Sequence, residues 1–269
     1  NPHLPPGYAQ SLAGLPEPLR RAYLDGSWDV FAGQVFGEFS RETHVVAPDS
    51  AVIADASQLF RSLDYGYAAP SCCAWWAVEP DGETLHCYRE LYEPALGPAD
   101  LAERIKAMTP TDETARIQYT VADPSLFRRN EQTRLSNADV LAINGVPCIP
   151  GQNDRLSGWR MFHQYLQPEK HMVGGELMLR PHLFIWSTCP NALRTLPALV
   201  YSETNPEDVD TKGEDHWADA ARYALMQMPP LLLHHPVPAP PVEVPGDSRR
   251  IEDILAVRDW TEDREYDYD

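Results

Sequence analysis

The chain has 269 residues, 43% of them hydrophobic and 23% charged, the composition of an ordinary globular protein with room for one large domain or one domain with extensions. No apolar run reaches the roughly 18 residues of a membrane span, and five cysteines without a CxxC pair argue against a disulfide framework or a zinc site and fit a reducing cytoplasm. A net charge of −18 argues against a protein that grips nucleic acid by its overall field.

Residues 1–54 open with prolines (NPHLPPGY). LPEPLRRAYLDGSW then places Leu15, Leu19, Ala22, Tyr23 and Leu24 near helical spacing, with Gly26 as a stop. This stretch reads as a connector. The first residue is Asn and no signal segment follows it, so a fragment or processed product is expected.

The core is expected over 55–228. Strands are predicted at 57–64, 71–79 and 83–91, with Pro80-Asp81-Gly82 as the turn between the last two. Adjacent Cys72 and Cys73, and Trp75 and Trp76, read as core or sheet-face residues. A helix with Pro at its start follows at 98–109, then a strand at 116–122 that ends at Asp123-Pro124. SNADVLAING predicts a short helix at 137–144 between a Ser cap and a Gly stop. VPCIP is a possible fifth strand. Asn153 is the expected cap of a helix through DRLSGWRMFHQYL. LMLRPHLFIWS suggests a hairpin or a strand after a turn, CPNALRTLPAL a helix, and EDHWADAARYALM the last strong helix. Three antiparallel strands followed by alternating helices and strands define an α/β fold with a mixed central sheet flanked by helices.

Residues 229–269 differ in kind. PPLLLHHPVPAPPVEVP is Pro-rich and reads as extended. Ten acidic residues against four arginines give this tail a charge of −6, so it reads as an acidic mobile or docking segment.

Three acids stand where a chemical site needs them. Asp64 and Asp123 end predicted strands, and Asp219 shares a predicted helix with His216 and Asp215. Hard divalent cations choose oxygen ligands. An acid at the end of a rigid strand is positioned at little entropic cost, and adjacent parallel strands bring Asp64 and Asp123 together. Asp215 and Asp219 are four apart, where like charges repel unless a cation lies between them; Asp215 is equally suited to capping the helix. Each residue also has a plain structural reading. Asp64 and Asp123 can simply open turns, and Asp219 and His216 can be solvated helix residues.

The segments RSLDYGY, YTVADPS, GQNDRLSGWRMFHQYL and above all EDVDTKGEDHWADAARYAL resemble the C-terminal nuclease domain of the large terminase subunit of tailed phages, and RAYLDGSWDVFAGQVFGEF resembles the segment that precedes it. The resemblance covers roughly residues 15–226 and not the tail. It implies an RNase H-like fold over 55–228 and a metal-dependent endonuclease that cuts concatemeric double-stranded viral DNA during packaging. It implies Asp64, Asp123 and Asp219 as metal ligands with Asp215 assisting, His216 beside the metals, and two Mg²⁺ ions for which Mn²⁺ can substitute. Portal protein and small terminase subunit are the implied partners, and the host cytoplasm the implied setting. Residues 1–54 would connect to an N-terminal ATPase; no GxxxxGK[ST] loop occurs in the chain, so no ATPase activity is expected from it. A monomer is expected for such an isolated portion. Arg128, Arg129, Arg155, Arg160 and Lys212 are candidate phosphate contacts that a −18 chain would need as a local basic face. Other RNase H-like enzymes, such as a junction resolvase or integrase, and a non-catalytic docking module of the packaging motor remain open. A phosphatase with a nucleophilic aspartate fits less well, because Asp64-Tyr-Gly-Tyr lacks a second Asp two residues on.

Overall fold

In a computed structural model the described residues are 33–173, 176–202, 204–205 and 207–231. The helix expected near 15–24 and the tail beyond 231 lie outside them. The elements run α1 (Arg41–His44), β1 (Val45–Val46), α2 (Ser50–Asp55), β2 (Gln58–Asp64), β3 (Ser71–Val78), β4 (Leu85–Glu93), α3 (Pro98–Met108), α4 (Thr111–Thr114) and β5 (Ile117–Ala122). Then come α5 (Asn137–Ile143), β6 (Ile149–Pro150), α6 (Arg155–Leu166), β7 (Glu169–Val173), β8 (Glu176–Arg180), β9 (Leu183–Trp186), α7 (Pro190–Thr195) and α8 (His216–Leu225).

Seven strands form one mixed sheet in the order β1-β9-β4-β3-β2-β5-β6. The β2-β3-β4 meander is antiparallel, and β5, β6, β9 and β1 join in parallel. The turn before β4 closes as the sequence predicts: Asp81 Oδ1 accepts the N–H groups of Glu83 and Thr84 at 2.9 and 2.8 Å, and Gly82 takes φ 75°. Parallel strands need long crossovers, and the helical patterns at 98–109 and 137–144 supply them as α3 and α5.

All eight residues of β3 are buried, as expected for a central strand covered on both faces. Successive side chains on a strand point to opposite faces, and Trp75 and Trp76 use this to anchor both layers. Trp75 Nε1 donates to Thr109 Oγ1 at 3.0 Å, just past α3. The Trp76 ring stands 6.2 Å from Trp217 of α8. Cys72 and Cys73 are buried beside them, and burial pushes the Cys73 thiol up to about 12. These four residues pack the core.

Three details refine the sequence reading. The cap of α6 is Asp154, whose Oδ1 accepts the Ser157 N–H at 3.1 Å, and not Asn153. Of the two forms expected of LMLRPHLFIWS, a hairpin or a strand after a turn, it takes the second. Its first part is β8, which pairs with β7 in a separate ribbon, and its second part is β9 in the main sheet. Residues 33–54 are more than a connector: Phe36 and Phe39 are core residues, and β1 extends the sheet beside β9. Among the described residues no helix is long and apolar enough to cross a membrane.

Candidate functional site

The site forms where β2 and β5 end together. These strands run parallel with Leu63 beside Ala122. The Asp123 N–H then donates to the Leu63 carbonyl at 3.0 Å, which sets Asp64 and Asp123 side by side at one end of the sheet. Asp123 Oδ1 also accepts the Ser125 N–H at 2.6 Å and so caps a short 3-10 turn over Pro124–Phe127. The turn role and a site role thus coexist in one carboxyl group.

Helix α8 brings the remaining groups. Its sequence, HWADAARYAL, is Ala-rich, so it can lie close to the sheet, and Trp217 locks it between Trp76 and Phe162 at ring distances of 6.2 and 6.3 Å. Asp215 occupies the N-cap position but makes no capping hydrogen bond. His216 Nδ1 stands 3.3 Å from Asp64 Oδ2 and 3.9 Å from Asp215 Oδ1. Asp219 lies one turn further on and is buried, as is Asp215.

Burial and like charge shape the electrostatics. Burial raises Asp64, reinforced by the Asp219 and Asp123 charges and opposed by its hydrogen bond to His216. Asp215 is pushed up to about 6 by burial and then by Asp219. The Asp64 hydrogen bond raises His216 and favours the imidazolium. The carboxylates therefore repel one another in a partly dry pocket, where a cation is favoured.

In the described arrangement two arginines answer part of that demand. Arg222, 1% exposed, donates from Nε to Asp219 Oδ1 at 2.9 Å, and its Nη2 is also 2.9 Å from that oxygen. Arg155, the first residue of α6, donates from Nη1 to both Asp219 oxygens at 3.0 Å and from Nε to Asp208 at 3.1 Å. Asp208 also accepts Trp159 Nε1–H at 2.7 Å. Among the described residues no three His, Cys, Asp or Glu side chains are arranged to close around a metal ion as they stand. The donor chemistry nevertheless suits a hard divalent cation: the group is carboxylate-rich, and Asp64 and Asp215 are raised by burial and then by neighbouring carboxylates.

The predicted residues sort clearly. Asp64, Asp123, Asp215, His216 and Asp219 share one end of the sheet. Arg128, Arg129, Arg160 and Lys212 are exposed, and none of them bonds the acids of the cluster. Arg155 is half-buried inside the acidic cluster, with its donors on Asp208 and Asp219. Sequence reading missed Asp208, Trp159 and Arg222. The i,i+3 spacing of Asp219 and Arg222 on an Ala-rich helix was a usable signal for Arg222; Asp208, in an irregular loop, offered none.

A mixed sheet flanked by helices, with acids at the ends of adjacent parallel strands and on a packed helix, defines an RNase H-like fold. It is specifically the fold of large terminase nuclease domains. The large terminase of a thermophilic bacteriophage superposes with a TM-score of 0.56 and 17% identity over 80% of this chain and 52% of that one. The P22 large terminase nuclease domain superposes with a TM-score of 0.56 and 14% identity over 73% of this chain and 92% of that one. The chain spans about half the length of the thermophilic phage's large terminase chains. No protein-family model and no curated protein matches the sequence.

Proposed function

We propose that this chain is a divalent-metal-dependent endonuclease that cuts concatemeric double-stranded viral DNA during genome packaging. One observation carries the reading. Asp64 and Asp123 sit at the ends of neighbouring parallel strands and meet Asp215, His216 and Asp219 on a fold shared with large terminase nuclease domains. Asp64, Asp123 and Asp219, assisted by Asp215, would hold Mg²⁺ or Mn²⁺, with two ions the expected number. Bound ions supply an activated water and stabilise charge on the leaving oxygen of a phosphodiester.

The chain's own residues do the positioning. The strands fix Asp64 and Asp123, and Arg222 fixes Asp219 from the interior. His216 orients the Asp64 carboxylate through its Nδ1 contact. Arg128, Arg129, Arg160 and Lys212 provide the local basic face that a −18 chain requires to approach DNA. Portal protein and small terminase subunit are the proposed partners, and the infected host's cytoplasm the setting. The chain has no GxxxxGK[ST] loop, so ATP-driven translocation is assigned elsewhere.

The test is plasmid cleavage with Mn²⁺ or Mg²⁺ by the parent chain, Asp64→Ala and Asp219→Ala. The parent is expected to cut linear and circular duplex, and both variants to lose the activity. Cleavage that survives both substitutions overturns the metal assignment. An inactive parent with either ion favours a docking module of the packaging motor, and a strong preference for branched DNA favours a junction resolvase.

A further inference from the structure

The guanidinium of Arg155 lies among three carboxylates. Nε bonds Asp208, with Oδ1 at 3.1 Å and Oδ2 at 3.3 Å. Nη1 is shared by the two oxygens of Asp219 at 3.0 Å. Nη2 faces Asp215 Oδ2 at 3.7 Å and is buried without a hydrogen-bond partner. The two arginines on Asp219 are not equivalent. Arg222 is enclosed and hydrogen-bonds Oδ1, while among the described residues the hydrogen bond to Oδ2 comes from Arg155. The Arg155 side chain keeps 26% of its surface exposed. It also has a second anchorage: it lies 5.1 Å over the Trp159 ring, and Trp159 holds Asp208 in place at 2.7 Å.

We propose that Arg155 is the resident counter-cation of the metal-free cluster, and that a divalent ion entering between Asp215 and Asp219 displaces it onto Asp208 and Trp159. This rests on the metal-nuclease reading above. Asp215 and Asp219 are four residues apart on one helix face, and the Arg155 guanidinium reaches both. With Arg222 also on Oδ1, a divalent ion between Asp215 and Asp219 would take Asp219 Oδ2, an oxygen that Arg155 holds. A divalent ion and the Arg155 guanidinium on that one oxygen would repel each other at contact distance by several kT at low effective dielectric. Arg155 therefore competes with the metal, and Asp208 with Trp159 gives it somewhere to go. Arg222, bound to the other oxygen, keeps Asp219 oriented in both states.

The opposite role, in which Arg155 fixes Asp219 so that metal can bind, predicts the opposite sign. The test is calorimetric Mn²⁺ binding to the full 269-residue chain, alongside thermal unfolding with and without Mn²⁺. Arg155→Gln is expected to bind Mn²⁺ about 5- to 20-fold tighter than the parent, within the usual range for coupled sites. It should unfold at a lower temperature without metal and gain more from Mn²⁺. Asp208→Asn removes the alternative anchorage and is expected to weaken Mn²⁺ binding several-fold, of the order seen for groups that support a metal site. Arg155→Lys keeps a cation and should stay near the parent. Weaker or unchanged binding by a folded Arg155→Gln overturns the proposal, provided that Asp219→Asn abolishes binding and so upholds the metal site itself. Mn²⁺ binding indifferent to Asp64→Asn and Asp219→Asn, or absent from every variant, overturns the metal reading together with the proposal.

Discussion

Gly158 of α6 lies directly against the stem of Arg222 on α8: a Cβ at residue 158 would stand 2.4 Å from Arg222 Cγ and 2.7 Å from Cδ. Two effects of Gly158→Ala oppose each other. Helix propensity alone favours Ala by about 1 kcal/mol. Overpacking a dense interior costs about 1–3 kcal/mol. The Arg222 stem cannot yield freely, because its head group is buried on Asp219 and donates from Nη1 to the Gln152 carbonyl at 3.3 Å. Losing a charge-assisted bond adds about 1.5–3 kcal/mol, so the clash wins. Urea denaturation should show Gly158→Ala less stable by about 2 kcal/mol, with weaker Mn²⁺ binding as Asp219 shifts. A variant as stable as the parent would mean that α6 and α8 separate easily, and that Gly158 does not set their distance.

That contact marks the limit of what the sequence discloses. Strand and helix periods are local, and they located β2, β3, β4, β5, α3, α5 and α8 within about a residue or two. Asp64 and Asp123 were legible for the same reason, since each stands at a strand end, and Asp219 through its spacing from Asp215 and His216 on α8. The neutralising cluster was not. Arg155 looks like any exposed arginine after a helix cap, and only the packing of α6 on α8 turns it toward Asp219. Arg222 sits in AARYAL with Asp219 as its nearest acid, and its burial depends on that partner three residues earlier. β1 pairs through two residues only, too short to show a period, so residues 33–54 read as a connector although Phe36 stacks on Phe162 at 4.5 Å.

His216 should act through Asp64 and not as a metal ligand of first importance. Its Nδ1 contact at 3.3 Å orients the carboxylate and lends it positive charge. Removing a group that supports a metal ligand typically costs about 10- to 100-fold in affinity or activity. His216→Ala is therefore expected to weaken Mn²⁺ binding and DNA cleavage by that factor, and Asp64→Asn to abolish both. Equal loss in the two variants would place His216 on the metal itself.

Glu113 tests the other face of the sheet. Arg89 of β4 grips it through both guanidinium nitrogens at 2.7 and 2.8 Å, and Tyr88 Oη–H donates to it at 3.0 Å. The carboxylate is 7% exposed, so this is a buried pair. Breaking such a pair from one side strands the other charge and costs about 3–5 kcal/mol; partial exposure of Arg89 at 22% moves the expectation toward the lower end. Glu113→Gln should therefore lower stability by about 3 kcal/mol in chemical denaturation, while cleavage at a permissive temperature stays near the parent's. A loss below about 1 kcal/mol, the range of exposed pairs, would mean that solvent reaches Arg89.

Glu79 predicts a pH dependence with a definite sign. It follows β3, receives His86 Nε2 of β4 at 2.6 Å, and pairs with Arg180 at the end of β8, so it ties the two-stranded ribbon to the main sheet. The His86 hydrogen bond, and after it Arg180, hold its carboxyl below the ordinary value of 4.5 against the opposing effect of burial. A folded-state value below the unfolded one means that folding releases protons in this window. The stabilisation is complete above the unfolded value and disappears as pH falls through the folded one. Glu79→Gln should therefore be less stable than the parent at neutral pH by about 1 kcal/mol, a charged hydrogen bond discounted for its partly exposed partner. The difference should hold from pH 7 to about 5 and shrink steadily toward pH 3. Urea titrations of both proteins across that range give the comparison directly, and a gap that widens on acidification would show that the Glu79 contacts favour the protonated carboxyl instead.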